Sequence, residues 1–367
     1  MLYKTLLRPL LFLKDPEKTH EQTLALLSHV GFLAGVLEGL FVVEDSRLRV
    51  TFGPLSFPNP VGLAAGFDKN GKAIKVWPGF GFGFIEIGAV TAHQQPGNPK
   101  PRLFRLPKDY ALINRLGFNN EGAEAIASKL AALGKNGKVP KIPLGINIGR
   151  SKVVETRDAA ADFLFTFERL YPYGDYFTLN VSSPNTPHLR DLQEKSLLKD
   201  LLETIQEKNR GLASKSKSKE KPILVKIAPD MEFSQVDEII EVAQSLSVTG
   251  IIATNTTAFL RETLITRNDE PGGLSGKPLK AKATSFIRHI YTATQGRLPI
   301  IGAGGIFTAE DAYEKIQAGA TAVQIYTGFV YEGPAAVKRI NCGLLQLMEQ
   351  EGFKSVSEVV GSRARGG

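Results

Sequence analysis

Residues 299–328 read PIIGAGGIFTAEDAYEKIQAGATAVQIYTG, and this stretch shows the unit from which the chain is built. The apolar run Pro299–Ile306 contains three glycines, a helical stretch follows over 308–318, and a second apolar run occupies Ala322–Gly328. A continuous apolar run followed by a helix is typical of a parallel strand covered on its outer face. The stretch therefore predicts two parallel strands joined by a helix.

Six more apolar runs of this kind precede it. They occupy residues 60–66, 83–90, 143–149, 175–183, 222–229 and 250–257. Further helices are predicted near residues 119–132, 153–170, 190–209, 233–247, 280–294 and 335–350, with a short one near 69–76. Eight strands that alternate with helices predict an α/β fold of the (β/α)8 TIM-barrel type, with active-site groups at the carboxyl ends of the strands.

A doubly wound sheet is the alternative fold, and it fits less well. Its dinucleotide fingerprint requires glycines in the order G-x-G-x-x-G. Gly302 and Gly304 match the first two positions, but Phe307 stands at the third. No feature of the sequence marks a reversal of strand order, so the barrel is favoured.

The chain is predicted to have three parts: an N-terminal helical extension over 1–42, the barrel over 43–360 and a flexible tail over 361–367. The segment 210–221 carries half of the net charge of +8 and is predicted to be a solvated loop. Because Arg363 and Arg365 add two more charges in the tail, the basic balance does not indicate a nucleic-acid-binding face.

Several kinds of site are excluded by residue counts and spacing. The single cysteine, Cys342, rules out an internal disulfide framework, a zinc ribbon and an iron–sulfur cluster held by this chain alone. The five histidines form neither an HExxH motif nor a close pair, so no metal site is expected. The Gly-x-Ser-x-Gly elbow of hydrolases and the Walker pattern of ATP-binding proteins do not occur.

The N-terminal residues predict helices rather than a membrane span. Asp15 and Pro16 are typical of a helix N-cap and first turn. The apolar segment 22–37 is shorter than the roughly 18 to 20 residues that cross a bilayer. An apolar stripe recurs at spacings of three and four, formed by Leu26, Val30, Leu33, Leu37 and Leu40. The stripe either packs on the barrel or enters a lipid surface, and composition leaves both interpretations open.

Amides and lysines gather at the predicted strand ends. They are Lys69, Asn114, Asn147, Asn180, Asn185, Lys226 and Asn255. Together they predict a ring of donors around one mouth, suited to a flat ligand with carbonyl and carboxylate oxygens. Gly304–Gly305 and Tyr326–Gly328 follow the last two strands, where barrels commonly bind phosphate. A planar cofactor that carries phosphate fits this mouth, and FMN is the simplest choice.

Taken together, these motifs resemble those of the quinone-linked, class 2 dihydroorotate dehydrogenases. The motifs are GLAAGFDKNG at 62–71, NRLGFNN at 114–120, NVSSPNTP at 180–187, GGLSGKPL at 272–279, IIGAGGI at 300–306 and VQIYTG at 323–328. The resemblance extends from the N-terminal helices to the eighth strand. It implies oxidation of (S)-dihydroorotate to orotate in pyrimidine biosynthesis, with hydride passing to FMN and electrons then passing to a membrane quinone.

The resemblance also implies a role for individual residues. Ser183 matches the family's catalytic base, and Thr186 a proton relay. The implied substrate-binding residues are Lys69, Asn114, Arg115, Leu116, Gly117, Phe118, Asn180, Asn185, Asn255 and Thr256. The implied FMN-binding residues are Ala65, Gly66, Ala89, Asn147, Asn180, Lys226, Thr254, Ser275, Gly276, Gly305, Tyr326 and Thr327. Ala89 stands where many members have serine or threonine, so one flavin contact is expected to be missing.

The class assignment has further support in the sequence. Soluble class 1 relatives use a cysteine base, whereas Cys342 falls in a late helix, away from the predicted mouth. The resemblance implies that residues 1–42 form a tunnel for ubiquinone or menaquinone and contact a membrane surface. We expect a peripheral protein on the cytoplasmic face of a bacterial membrane, with neither nucleic acid nor an iron–sulfur subunit as partner.

Two other functions are weighed against this one. A flavin barrel that reduces or oxidises dihydrouridine in tRNA would explain the basic charge, but it would require a catalytic cysteine and a nucleic-acid-binding face. A membrane-docking barrel that binds flavin without turnover would not require Ser183, Lys226 and the asparagine ring.

Overall fold

Eight parallel strands close into a barrel in the computed structural model, which describes residues 2–135 and 140–364. The strands of the chain are β1 (Val50–Phe52), β2 (Leu55–Phe57), β3 (Val61–Leu63), β4 (Phe84–Val90), β5 (Leu103–Leu106), β6 (Ala111–Asn114), β7 (Leu144–Ile148), β8 (Tyr176–Asn180), β9 (Ile223–Ile227), β10 (Gly250–Ala253), β11 (Gly273–Gly276), β12 (Ile300–Ala303) and β13 (Ala322–Ile325). The barrel order is β3, β4, β7, β8, β9, β10, β12 and β13, and β13 pairs with β3. The predicted (β/α)8 fold is confirmed, and the open doubly wound sheet is wrong.

The described residues form twelve α-helices, most of which cover the outer face of this barrel. They are α1 (Arg8–Phe12), α2 (Pro16–His29), α3 (Ala34–Phe41), α4 (Ala123–Lys135), α5 (Ala159–Leu170), α6 (Lys195–Ser216), α7 (Phe233–Ser245), α8 (Lys280–Thr294), α9 (Ala309–Gln317), α10 (Thr327–Glu332), α11 (Ala336–Glu351) and α12 (Val356–Val359). The longer helices predicted after the strands are confirmed as α4 to α9 and α11. Cys342 lies on α11, as expected.

The short helix predicted near 69–76 is wrong, because one buried carboxylate holds this segment in turns. Asp68 accepts hydrogen bonds from the backbone N–H groups of Lys72 and Ala73 and from the indole N–H of Trp77. Gly71 has a φ of 62°, which lies in the left-handed region. A single 3₁₀ turn, Trp77–Phe80, follows these turns.

The segment 210–221 is a solvated loop, as its charge suggests, only after residue 216. Helix α6 continues through it to Ser216, because Ala213 is buried against the barrel shell. Lys217 then ends the helix with a φ of 51°. Exposed lysines occupy the outer face and the turn that follows.

The amino ends of the barrel strands are closed by packing, which leaves the carboxyl ends as the open mouth. Strands β1 and β2 form an antiparallel pair, and the ring of Phe52 packs against Gly250 at the start of β10. All seven residues of β4 are buried, as expected for a parallel strand that is covered on both faces.

A three-stranded antiparallel sheet stands beside the mouth. Its order is β11, β6, β5, and Asn114 at the end of β6 pairs with both Leu103 and Gly273. The pairing joins the insertion after β4 to the loop after β10. It thereby holds the loop 114–118 next to the mouth.

The N-terminal helices pack on the same side. Asp15 caps α2 by accepting the N–H of Lys18, as predicted. The apolar stripe is interrupted at Gly31, where α2 and the following helical segment are bent by 65°. Among the described residues, no single helix is long and apolar enough to cross a membrane, although this bent pair meets the same length and composition test jointly. Ten of the fifteen large apolar side chains exposed in the described chain lie between Leu2 and Leu40.

The described part of the predicted tail contacts the barrel shell. The N–H of Gly361 donates to the carbonyl of Ile316, and Arg363 pairs with Glu351. Residues 365–367 lie outside the described residues.

Candidate active site at the carboxyl ends of the barrel strands

A cavity of about 1060 Å³, open mouth included, lies where the barrel strands end. Its lining includes Ala65, Gly66, Lys69, Ala89, Asn114, Leu116, Gly117, Phe118, Asn180, Ser183, Asn185, Lys226, Thr254, Asn255, Thr256, Ser275, Gly276, Gly305, Tyr326 and Thr327. The structure thus brings together around one space every predicted site residue except Arg115, Asn147 and the implied relay Thr186. Their strands and loops are far apart in the sequence, and the closed barrel makes them neighbours.

Arg115 is directed away from this cavity. Its guanidinium pairs with Glu270, donates to the carbonyl of Pro101 at 2.8 Å and lies over the ring of Phe104. The side chain therefore joins two loops of the antiparallel sheet. Arg115 was predicted to hold substrate, but its side chain instead connects two loops outside the cavity.

Asn147 lies one layer deeper than the cavity and is fully buried. Its Nδ2 donates to Glu86 at 2.8 Å, and its Oδ1 accepts from Nδ2 of Asn180 at 3.0 Å. Oδ1 of Asn180 in turn accepts from Asn255 Nδ2 at 3.3 Å and from the hydroxyl of Ser182 at 3.1 Å. A continuous chain of side-chain amides therefore connects three strand ends.

A second amide pair lies across the cavity. Nδ2 of Asn185 donates to Oδ1 of Asn114 at 3.1 Å, and Nδ2 of Asn114 donates to the carbonyl of Gly273. The backbone N–H of Asn185 also donates to Oγ of Ser183 at 3.3 Å. Ser183 is only 6% exposed, so its hydroxyl lies in a largely dry wall of the cavity.

Two buried ammonium groups face the same space. Burial, assisted by the charge of Arg102, lowers the pKa of Lys69 to about 8. Burial also lowers the pKa of Lys226, and the negative charge of Glu86 opposes that shift. Two cations that line one cavity favour an anionic ligand.

Glycines make the far end of the cavity a backbone cradle. A methyl group at Gly328 would overlap the carbonyl oxygen of Ile306, and one at Gly305 would overlap the backbone of Lys280. Beside them the hydroxyls of Ser275 and Thr327 lie 2.8 Å apart. Backbone N–H groups and hydroxyls in this arrangement suit a phosphate group.

A second, apolar cavity of about 1310 Å³, open mouth included, lies between the N-terminal helices and the barrel. Its wall includes Leu11, Phe12, His20, Thr23, Leu27, Leu37, Leu40, Phe41, Phe329 and Val330. Leu103, Leu112 and Tyr326 line both cavities. The two spaces therefore share a wall.

Few polar groups reach the apolar cavity. Burial lowers the pKa of His20 to about 4, so the imidazole is neutral at pH 7, and its Nε2–H donates to the carbonyl of Phe67 at 2.8 Å. Arg105 uses its guanidinium to bond the carbonyls of Leu11 and Lys14. The cavity is therefore suited to a long apolar molecule with a small polar end.

The sequence comparisons bear on what this pair of cavities does. A sequence model of the family described as "Dihydroorotate dehydrogenase" matches residues 47–348. The chain belongs to the dihydroorotate dehydrogenase family. It is therefore an oxidoreductase, as the motifs predict, and the alternative of a barrel without turnover is wrong.

The names of similar proteins indicate the class within this family. A protein of Gloeobacter violaceus named "Dihydroorotate dehydrogenase (quinone)" is 49% identical over 362 residues, covering 98% of both chains. One of Acaryochloris marina with the same name is 49% identical and covers 99% of this chain and 100% of its own. The crystal structure of DHODH in complex with ferulenol from Eimeria tenella superposes with a TM-score of 0.87 at 37% identity, covering 96% of each chain. The resemblance to the quinone-linked class is thereby confirmed.

Two buried polar residues near the site escaped the sequence analysis. Glu86 on β4 is fully buried, and Gln324 on β13 lines the cavity. The signal for both was present, because each interrupts an apolar strand run, just as Lys226 does. A charged or amide residue inside such a run requires a buried partner.

Proposed function

We propose that this protein oxidises (S)-dihydroorotate to orotate in pyrimidine biosynthesis, with FMN as its cofactor and a membrane quinone as its electron acceptor. The observation that carries the proposal is the shared wall of the two cavities. One is polar and holds two ammonium groups, the other is apolar, and Tyr326 lines both. Electrons can therefore leave by a different cavity from the one that admits the substrate.

The residues present fit FMN. Gly305, Gly328, Ser275 and Thr327 form the cradle for its phosphate, and a side chain at either glycine would displace the neighbouring backbone of Lys280 or Ile306. When bound, FMN supplies a two-electron acceptor that takes hydride from C6 of dihydroorotate. Lys226 then provides a fixed positive charge at the cavity wall, which stabilises negative charge on the reduced ring.

The amides and Lys69 fit the planar product. Orotate carries one carboxylate and several carbonyl and N–H groups around its ring. Asn114, Asn185 and Asn255 present both donors and acceptors to one cavity, and Lys69 offers a cation for the carboxylate. The ring of donors and acceptors holds the ligand in one orientation.

We propose that Ser183 takes the proton from C5 of dihydroorotate. A serine is a weak base, so its surroundings must stabilise the developing negative charge on Oγ. The N–H of Asn185 already donates to this Oγ, and Thr186 lies in the same loop as a buried hydroxyl. We propose that Thr186 and a water carry the proton onward.

The apolar cavity fits the isoprenoid tail and ring of ubiquinone or menaquinone. Exposed apolar side chains surround its N-terminal helices; they are Leu2, Leu6, Leu7, Leu10, Leu13, Leu26, Phe32, Leu33, Val36 and Leu40. Such a surface suits shallow insertion into a bilayer. We therefore assign residues 1–42 to membrane contact, in a peripheral protein on the cytoplasmic face of a bacterial membrane.

The first test separates the base from the binding site. Ser183→Ala should retain FMN and orotate binding, while flavin reduction by dihydroorotate slows by about 10²- to 10⁴-fold. Ser182→Ala is the matched control, because Ser182 is a neighbouring buried serine whose hydroxyl bonds Asn180. It should change orotate affinity more than the rate of reduction. Flavin reduction in Ser183→Ala at the rate of the unmodified protein would show that the base is another group.

The second test separates the two cavities. Leu27 lines the apolar cavity, whereas Leu26 on the same helix is 65% exposed. Leu27→Trp should raise the KM for quinone or abolish quinone turnover, yet leave anaerobic flavin reduction unchanged. Leu26→Trp should leave turnover with a soluble quinone analogue unchanged. Equal quinone kinetics in both variants would place the acceptor elsewhere.

A further inference from the structure

A single buried carboxylate occupies the polar interior of the barrel below the site. Glu86 belongs to β4 and is 0% exposed. A carboxylate taken out of water is costly unless hydrogen bonds and opposite charge compensate it. Its partners therefore indicate why an apolar strand carries it.

Four neutral side chains from three other strands donate to Glu86. Nδ2 of Asn147 lies at 2.8 Å, Nε2 of Gln324 at 3.0 Å, the hydroxyl of Thr178 at 3.1 Å and that of Tyr176 at 3.2 Å. Amide N–H groups can only donate, so Glu86 accepts from Asn147 and Gln324, and the two hydroxyls donate to the same carboxyl group.

The carboxylate fixes the direction of the amide chain described above. Because Asn147 must turn its N–H₂ toward Glu86, its Oδ1 faces Asn180 and accepts from it. Asn180 must then present Oδ1 to Asn255 and Ser182. Because Glu86 accepts from Asn147, it sets which end of each side-chain amide faces the next one. This order extends through Asn180 to Asn255, which lines the cavity.

Glu86 also offsets the charge of Lys226. Residue 226 on β9 is a buried cation that faces the cavity, and Glu86 is the carboxylate whose attraction opposes its loss of a proton. The remaining acceptor atom in the group, Oε1 of Gln324, has no partner within the described residues. Asn180, which Asn147 connects to Glu86, lies beside Lys226 in the register of β8 and β9, so the two opposite charges lie on neighbouring parts of the cavity base.

We propose that Glu86 is a positioning residue that orients the Asn147–Asn180–Asn255 amide chain for orotate and, by offsetting Lys226, lowers the reduction potential of bound FMN. This inference rests on the proposed function, since it requires FMN in the polar cavity. It assigns to one side chain two effects, on affinity and on potential, that can be measured separately.

The experiment compares Glu86→Gln with Thr178→Val. Glu86→Gln retains shape but removes the charge and the acceptor-only character. Thr178→Val removes one hydrogen bond from the same carboxylate at an equally buried site. FMN content, orotate affinity from the flavin difference spectrum, and the potential from anaerobic equilibration with a reference dye are measured at pH 7 for each.

Glu86→Gln should weaken orotate binding by at least tenfold. It should also shift the equilibrium toward reduced FMN by at least tenfold, or about 30 mV for a two-electron couple. Thr178→Val should change neither the orotate affinity nor the equilibrium of flavin reduction by more than about threefold. If orotate affinity and potential both stay unchanged in Glu86→Gln, Glu86 is structural and the inference is overturned.

A second variant covers the case in which Glu86→Gln does not fold. Asn147→Leu breaks the amide chain and leaves both charges in place. It should weaken orotate binding by at least tenfold with no shift in potential, and unchanged orotate affinity would overturn the amide argument. Failure of the proposed function is distinguishable, because the unmodified protein would then lack FMN or fail to bind orotate.

Discussion

The ion pair between Glu17 and Arg102 connects the N-terminal helices to the loop that carries the site. Arg102 donates to both carboxylate oxygens of Glu17 over 2.7 to 3.1 Å, and the two side chains are 6% and 7% exposed. The same guanidinium donates to the carbonyls of Pro96 and Asn98. Asn98 then donates to the carbonyl of Asn185. The pair therefore fastens α2 to the substrate loops.

Removing one partner of a buried pair typically costs about 3–5 kcal/mol, since the other charge stays buried. Arg102 keeps two carbonyl acceptors after Glu17→Gln, so we expect a loss near 3 kcal/mol. With an unfolding entropy of about 2.1 cal/mol/K per residue, that loss lowers Tm by about 4 °C in a protein of 367 residues. The double variant with Arg102→Met should recover about 2 kcal/mol of it.

Thermal unfolding checks this value, with Glu124→Gln as the control. Glu124 pairs with Arg169 on the surface, where both side chains are more than half exposed. Such a pair is worth about 0 to 1 kcal/mol, so the control should shift Tm by about 1 °C or less. If Glu17→Gln unfolds at the temperature of the control, the pair does not fasten α2 and the reasoning is refuted.

The pair should also respond to acid in a defined direction. Burial opposes ionisation of Glu17, but the hydrogen bond and charge of Arg102, with the charge of Lys100, outweigh it and lower the pKa below the ordinary 4.5. A carboxyl group whose pKa is lowered on folding stabilises the fold at pH values above its ordinary pKa. That stabilisation is lost as the pH falls through the pKa of the folded state. The difference in Tm between the unmodified protein and Glu17→Gln should therefore shrink below about pH 4.5.

Three further results are expected. The pKa of Lys69 is about 8, so orotate affinity, followed by flavin difference spectra, should fall as the pH rises through the pKa of this residue in the complex, and Lys69→Met should remove that dependence. Gly328→Ala should yield protein with little FMN by absorbance, because the methyl group meets the carbonyl of Ile306, whereas Gly134→Ala, at an open position, should retain FMN. Asn255→Ala should raise the KM for dihydroorotate about tenfold or more in steady-state assays, since it leaves buried partners unpaired.

The sequence predicted the barrel well because the information is local. Each strand is an apolar run that ends in a polar or small residue, and each run lies next to its own helix. The 65° bend after α2 was not predicted, because the apolar stripe continues at spacings of three and four across Gly31. The antiparallel sheet was missed for a different reason. Strand β6 pairs with β11 about 160 residues away, and no local pattern encodes that pairing.

The difference between local patterns and distant pairings also explains how much of the site could be predicted. Strand-end amides and lysines could be identified from position alone, and the structure brings them to one cavity. Arg115 was grouped with them by the resemblance, as part of the motif NRLGFNN, yet its partner Glu270 belongs to a distant loop. Glu86 interrupts the apolar run of β4 and could have been noted from the sequence, but its four donors come from three other strands and are known only from the structure.

Anaerobic addition of dihydroorotate to the purified protein tests the central claim most directly. The flavin absorbance band is followed before and after addition, and a quinone or NAD is then supplied. We expect a yellow protein that bleaches with dihydroorotate and regains its colour with quinone but not with NAD. A yellow protein that does not bleach would contradict the assigned substrate, and a protein that stays colourless with added FMN would contradict the flavin site itself.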